Sequence, residues 1–265
     1  MFGAYGGLTC FYAKELTRDG IFECLRKRHH YGTTGTRLHL DVRAELAGGG
    51  ELFDEDPNAF PDTGSQTVNS VMMGDIVKTS DDTVTLKVEV SAQNPIERIE
   101  IRNGIDVMKT VRGFSESDLG ERIRVVWSGA EYRGRGRETN WKGRASFGGA
   151  QIRRMEKINA WNHERKLEQH GANTMVFDAI TTGNFGGFDA WLEDMDGASL
   201  DISTNLGTLQ VPLSDIGIED VTMEAGGLER KIRAFRLPED TPHCRITTEL
   251  EIPIKADGDN PLWVC

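Results

Sequence analysis

Thr83-Val84-Thr85-Leu86-Lys87-Val88-Glu89-Val90 alternates polar and apolar side chains at every step. Successive side chains of a strand point to opposite faces, so such a run buries one face and wets the other. The same period recurs in Ile96-Glu97-Arg98-Ile99-Glu100-Ile101-Arg102, and Asn103-Gly104 separates it from Ile105-Asp106-Val107-Met108. Asn-Gly between two such runs predicts a hairpin. Further out, Arg122–Trp127, Met175–Thr182, Phe188–Leu192, Ser199–Thr204, Thr208–Val211, Ile232–Leu237 and Ile246–Ile254 are short runs parted by turn residues. Short strands at about ten-residue spacing predict a mainly β fold, an antiparallel β-sandwich. With 30 glycines and only 8 prolines in 265 residues, and no G-X-Y period, a turn-rich β protein fits and collagen does not.

The N-terminal part reads differently. Thr17 is a good N-cap ahead of Arg18–Arg28, where Ile21, Phe22 and Leu25 form one apolar stripe and basic residues fill the last turn. The pattern predicts a helix over 17–31, followed by a strand over Arg37–Arg43. A helix this short does not bury its stripe unaided; left exposed, the stripe predicts self-association. Residues 47–70 are rich in glycine, proline and acids without a period, which reads as a linker or insertion. The expected boundaries are therefore 1–46, 47–70 and a sandwich domain over 71–265. Residues 151–171 are ambiguous: Ile152, Met155, Ile158 and Trp161 recur every three positions as in a helix, but Arg153, Arg154 and Asn159 break the face.

The net charge is −11, which disfavours nucleic acid and anionic membrane as partners. Arg112 to His170 nevertheless carries 13 basic and 8 acidic residues, a net of +5, against −16 for the rest. Cys10, Cys24, Cys244 and Cys265 make no CxxC word and no zinc spacing, so free thiols and a reducing, cytoplasmic compartment are favoured. An export signal on a longer parent chain is compatible with the same sequence. No window approaches ~18 apolar residues, the length of a membrane-spanning helix.

Tyr132-Arg133-Gly134-Arg135-Gly136-Arg137, with Trp141, is the candidate binding stretch. At a spacing of two, Arg133, Arg135 and Arg137 share one face of an extended strand, and the glycines bare the other. Arginine forks suit carboxylates, sulfates and phosphates. The competing reading is a hairpin whose arginines pair with Glu131 and Glu138. His39 and Asp41 share a strand face but make only half a metal site. No catalytic residue, metal ligand or cofactor is expected in this segment.

Several words carry a resemblance: Tyr5-Gly6-Gly7-Leu8-Thr9, Thr17-Arg18-Asp19-Gly20-Ile21-Phe22-Glu23, Tyr31-Gly32-Thr33-Thr34-Gly35-Thr36-Arg37, Pro95–Gly104, Tyr132–Arg137, Trp141-Lys142-Gly143-Arg144, Thr181-Thr182-Gly183-Asn184-Phe185-Gly186-Gly187-Phe188 and Asp259-Asn260-Pro261-Leu262-Trp263-Val264. In this order they resemble a bacterial family of large uncharacterised proteins whose N-terminal part is similar to the PHP (polymerase and histidinol phosphatase) metal-dependent phosphoesterase barrel. The resemblance implies that the first ~40 residues are the last helix and strand of that α/β barrel, followed by a β-sandwich. It places the divalent metal and any hydrolysis in an upstream domain, which is then the expected partner, because this chain has neither His-x-His nor Asp-x-His. Such family members run on past the Asn-Pro word, so the chain is read as a fragment of a longer protein. The implied role is a non-catalytic accessory domain that shapes the active-site mouth or binds part of the substrate. The alternative is a binding module for an acidic or carbohydrate-like ligand.

Overall fold

The alternating runs are strands. In the computed structural model, which describes residues 6–134, 137–160, 165–255 and 257–265, the chain divides into two units, Met1–Gly113 with Pro242–Cys265, and Phe114–Thr241. The first unit begins with β1 (Leu8–Phe11), α1 (Arg18–Arg26), β2 (His30–Thr33), β3 (Leu38–Phe53), β4 (Ser65–Met72), β5 (Ile76–Lys78), β6 (Thr83–Ala92), β7 (Ile99–Asn103) and β8 (Asp106–Val111). The second holds β9 (Arg122–Ala130), β10 (Thr139–Gly148), β11 (Gln151–Ile158), β12 (Lys166–His170), β13 (Thr174–Thr181), β14 (Phe185–Glu193), β15 (Ser199–Thr204), β16 (Gly207–Pro212), β17 (Val221–Glu224) and β18 (Leu228–Leu237). The chain then returns to the first unit with β19 (Arg245–Pro253) and β20 (Leu262–Val264).

In the first unit, a sheet in the order β19-β6-β3-β4, with β5 also on β3, shares a core with the smaller sheet β20-β7-β8. Val84, Leu86, Val88 and Val90, the apolar half of the opening run, pack there with Val42, Ile99, Ile101, Ile246 and Ile252. Burial of a large aliphatic side chain contributes roughly 1.5–3 kcal/mol, so these layers are held chiefly by that alternation. The hairpin after β7 turns on Gly104-Ile105 rather than on Asn103-Gly104: Asn103 pairs with Asp106, and Gly104 takes φ 62 as the first turn residue. β1 and β2 form a separate two-stranded ribbon.

The second unit is a sandwich of two five-stranded antiparallel sheets, β12-β13-β10-β15-β16 and β11-β14-β9-β18-β17. Trp141, Ala145, Phe147, Met175, Phe177, Leu200 and Ile202 of one sheet meet Ile123, Val125, Trp127, Phe188, Leu192 and Ile232 of the other in one core. Trp127 stacks on Phe177 across the layers, with ring centroids 4.5 Å apart.

The antiparallel β expectation holds, but the expected boundaries do not match the units. β3 runs through residue 46, and residues 47–70 supply the rest of β3 and most of β4 rather than a linker. Gly48, Gly49 and Gly50 lie at a break in the β3–β4 register between Glu45 and Gly50. The glycines thus form a bulge within a continuing strand instead of ending it. Residues 71–265 are not one domain, since 242–265 rejoin the first unit. The helix is shorter than 17–31: Thr17 caps it by accepting a bond from Gly20 N at 3.1 Å, it stops at Arg26, and Arg28 takes φ 59. The first 46 residues close no barrel among the described residues; β3 pairs with β6 instead. Residues 151–158 are a strand, while Trp161 lies outside the described residues.

Candidate functional site

Gly129 near the end of β9 has φ 95, and a Cβ there would lie 2.3 Å from the Glu229 carbonyl oxygen, so only glycine fits without a backbone shift. Its N–H donates to Asn184 O at 3.2 Å, and its carbonyl accepts from Gly183 N at 3.1 Å. The Thr182-Gly183-Asn184 turn is therefore fastened to the end of β9. Asn184 Oδ1 accepts from Thr182 N at 2.9 Å and tightens that turn. From Ala130 the chain leaves one sheet and reaches the other at Thr139, where Thr139 pairs with Thr181. Residues 131–134 and Arg137, and the Thr182-Gly183-Asn184 turn, far apart in sequence, thus lie at one end of the second sandwich.

The described residues between β9 and β10, 131–134 and 137–138, form no strand. Gly134 takes φ 112 and Arg137 φ 50, both in the left-handed region that a regular strand excludes. Glu131 N donates to Arg137 O at 3.2 Å and closes the loop. Among the described residues Glu131 and Glu138 pair with neither Arg133 nor Arg137; the Glu131 carboxylate pairs with Arg230 on β18. Arg133 and Arg137 are exposed, and among the described residues neither forms an ion pair. Arg135 lies outside the described residues. Tyr132 is 64% exposed on the same loop, Phe185 is 44% exposed after the fastened turn, and Leu228 is exposed at the facing end of β18.

Trp141 does not belong to this surface. It is 0% exposed in the sandwich core, and its Nε1 donates to Thr181 Oγ1 at 2.9 Å. Its position on β10 has the parity of Ala145 and Phe147, both core residues, so a ligand at the loop end meets no Trp141 ring. Among the described residues, the exposed rings there are Tyr132 and Phe185.

Two other polar clusters were not anticipated. On the outward face of β9 and β14, Asp189 is held by Arg124 Nε at 2.6 Å and by Arg122 Nη2 at 2.5 Å. Beside them the Trp191 ring lies between Arg122, 4.6 Å from its centroid, and Arg154, at 4.2 Å. Arg-x-Arg inside an otherwise apolar run was the available signal. In the first unit, Tyr31 Oη donates to Leu38 O at 2.7 Å, and burial, then a hydrogen bond with Cys10, pushes its phenol up to about 12. Burial also raises the Tyr12 phenol. His29 Nε2 meets Asp75 Oδ1 at 2.7 Å and is not available to a metal. His39 packs edge-on against Tyr12, with centroids 6.4 Å apart. Among the described residues no three His, Cys, Asp or Glu side chains gather as a metal site, and no helix is long and apolar enough to cross a membrane.

The family model "Protein of unknown function (DUF3604)" matches residues 1–142, which run from the N-terminal ribbon through the arginine loop into β10. The chain belongs to the DUF3604 family. No curated protein and no solved structure matches it.

Proposed function

We propose that this DUF3604 segment is a non-catalytic accessory β domain of a larger PHP-like hydrolase, and that it holds an anionic group of a ligand or substrate at the loop end of the second sandwich. The observation that carries the reading is that Arg133 and Arg137 are exposed and without an ion pair among the described residues, on the loop that also carries the exposed Tyr132 and leaves the strand end fastened to the turn before the exposed Phe185. Guanidinium forks match carboxylate, sulfate and phosphate oxygens in pairs, and the hydrogen bonds are charge-assisted. A flat aromatic neighbour adds contact for the apolar body of an acidic ligand, with little side-chain entropy lost. A uronic acid or sulfated sugar combines both features.

Titration of the chain with sulfate and with a uronic acid, followed by calorimetry or amide chemical shifts, tests the binding half. Saturable binding that weakens with added salt, and that is lost in Arg133→Glu/Arg137→Glu with an unchanged melting profile, is the expected result. Binding unaffected by that double change overturns it. The accessory half rests on the resemblance to PHP-like proteins; a full-length gene without His-x-His words upstream would count against it.

A further inference from the structure

The positive loop end has its chemical complement on the same sequence. The loop from Asp54 to Gly64, between β3 and β4 of the first unit, carries Asp54, Glu55, Asp56 and Asp62 and no basic residue. It is internally organised: Asp54 N donates to Gly64 O at 3.0 Å, Glu55 N to Thr63 Oγ1 at 3.0 Å, and Phe60 N to Asp56 O at 2.8 Å. Asp56 Oδ1 is occupied by Asn58 N. Glu55 and Asp62 are exposed and form no ion pair among the described residues. Phe60, followed by Pro61, stands 55% exposed in this loop.

We propose that the occupant of the Arg133/Arg137 end is the acidic Phe60 loop of a second copy of this chain; this rests on the reading above that the end receives carboxylates. Glu55 and Asp62 of one copy face Arg133 and Arg137 of the other, and the exposed Phe60 ring adds apolar contact with the exposed Tyr132 and Phe185. Charge selects this pairing. Two chains of net charge −11 repel as wholes, so association needs a local patch of opposite sign, and 112–170 is the net-positive stretch. The loop's internal bonds and its two prolines lower the entropy lost on docking. Patch and complement lie at different places on the chain, so each copy offers both halves of the contact, and association closes as a reciprocal pair or extends head to tail. One loop in one shallow surface is a small interface, and the association is weak and salt-sensitive.

Sedimentation velocity over a concentration series, at low and at physiological salt, tests this on the whole chain. Three proteins are compared: the parent sequence, Arg133→Glu/Arg137→Glu, and Glu55→Lys/Asp62→Lys. The parent should exceed its monomer mass of 29.4 kDa as concentration rises, more so at low salt. Each charge-reversed variant alone should associate more than about tenfold more weakly. An equimolar mixture of the two variants should associate again, because each then offers what the other needs. That recovery also shows that neither variant is misfolded. A parent that stays monomeric throughout, or a mixture that does not recover, overturns the proposal. So does association that survives both reversals and disappears in Phe22→Asp/Leu25→Asp, which would place the contact on the exposed face of α1. If the parent is monomeric but Arg133→Glu/Arg137→Glu still abolishes uronate binding, the second-copy proposal falls and the anion-binding reading stands.

Discussion

Asp189 is 3% exposed by its side chain and lies between two guanidinium groups. Removing a carboxylate from water is costly, and here two cations compensate it, one of them, Arg122, also stacked on the Trp191 ring. Asp189→Asn keeps the shape but leaves Arg122 and Arg124 facing each other without the anion. It should lower unfolding stability by about 3–5 kcal/mol, measured from urea transitions; a loss below about 1 kcal/mol would mean that water already screens the cluster. Tyr31 gives a pH-dependent counterpart. Its phenol is held neutral up to about 12, against 10.0 for the free group. The unfolded chain therefore loses this proton first, so the contribution is complete below pH 10 and declines as pH rises from 10 towards 12. The melting temperature should fall over that interval. Tyr31→Phe should start lower, having lost the bond to Leu38 O, but fall less steeply; an equal slope would remove Tyr31 as the cause.

Trp141 shows what an element does with a residue that sequence spacing assigns to a surface. Trp141→Phe deletes the donor to Thr181 and part of the core volume, and should cost about 1–2 kcal/mol in unfolding stability. It should leave sulfate or uronate affinity within about twofold; a larger loss would return Trp141 to the binding surface. Gly129→Ala forces a Cβ against the Glu229 carbonyl at φ 95. Of order 1–3 kcal/mol is expected for such strain, and a distorted β9 end should weaken anion binding too. Strands with strict alternation were legible: β6 and β15 lie where their runs do, and Ser199–Thr204 coincides with its run. β11 was not, for a physical reason. Its register slips between Ile152 and Arg154, and this bulge brings Ile152 and Met155, three apart, to the core side. A bulged strand thereby imitates helical spacing. The arginine loop misled in the opposite sense: a spacing of two suggested a strand, whereas the φ values at Gly134 and Arg137 depend on turn geometry that composition does not encode. The location of positive charge was legible; its freedom from Glu131 was not, because Arg230 is 99 positions away from that carboxylate.

At the scale of the molecule, Phe114–Thr241 is one uninterrupted stretch with its own two sheets and core, whereas the other unit is assembled from both ends of the chain. Excised residues 114–241 should therefore fold and unfold in a single cooperative transition, followed by circular dichroism and tryptophan fluorescence together. Non-coincident transitions would show that the uninterrupted stretch is not self-sufficient.

The return of the chain also sets an order of events on the ribosome. β19 pairs along β6, and β20 along β7, yet both lie within Pro242–Cys265. At about 5–20 residues per second, β6 and β7 emerge on the order of ten seconds before these partners exist. During that wait the Thr83–Ala92 edge, half apolar and unpaired on its β19 side, is open to other nascent chains. Translation pauses or early termination before residue 242 would lengthen that exposure indefinitely, so aggregation of truncated products, rather than loss of the second sandwich, is the failure this topology invites.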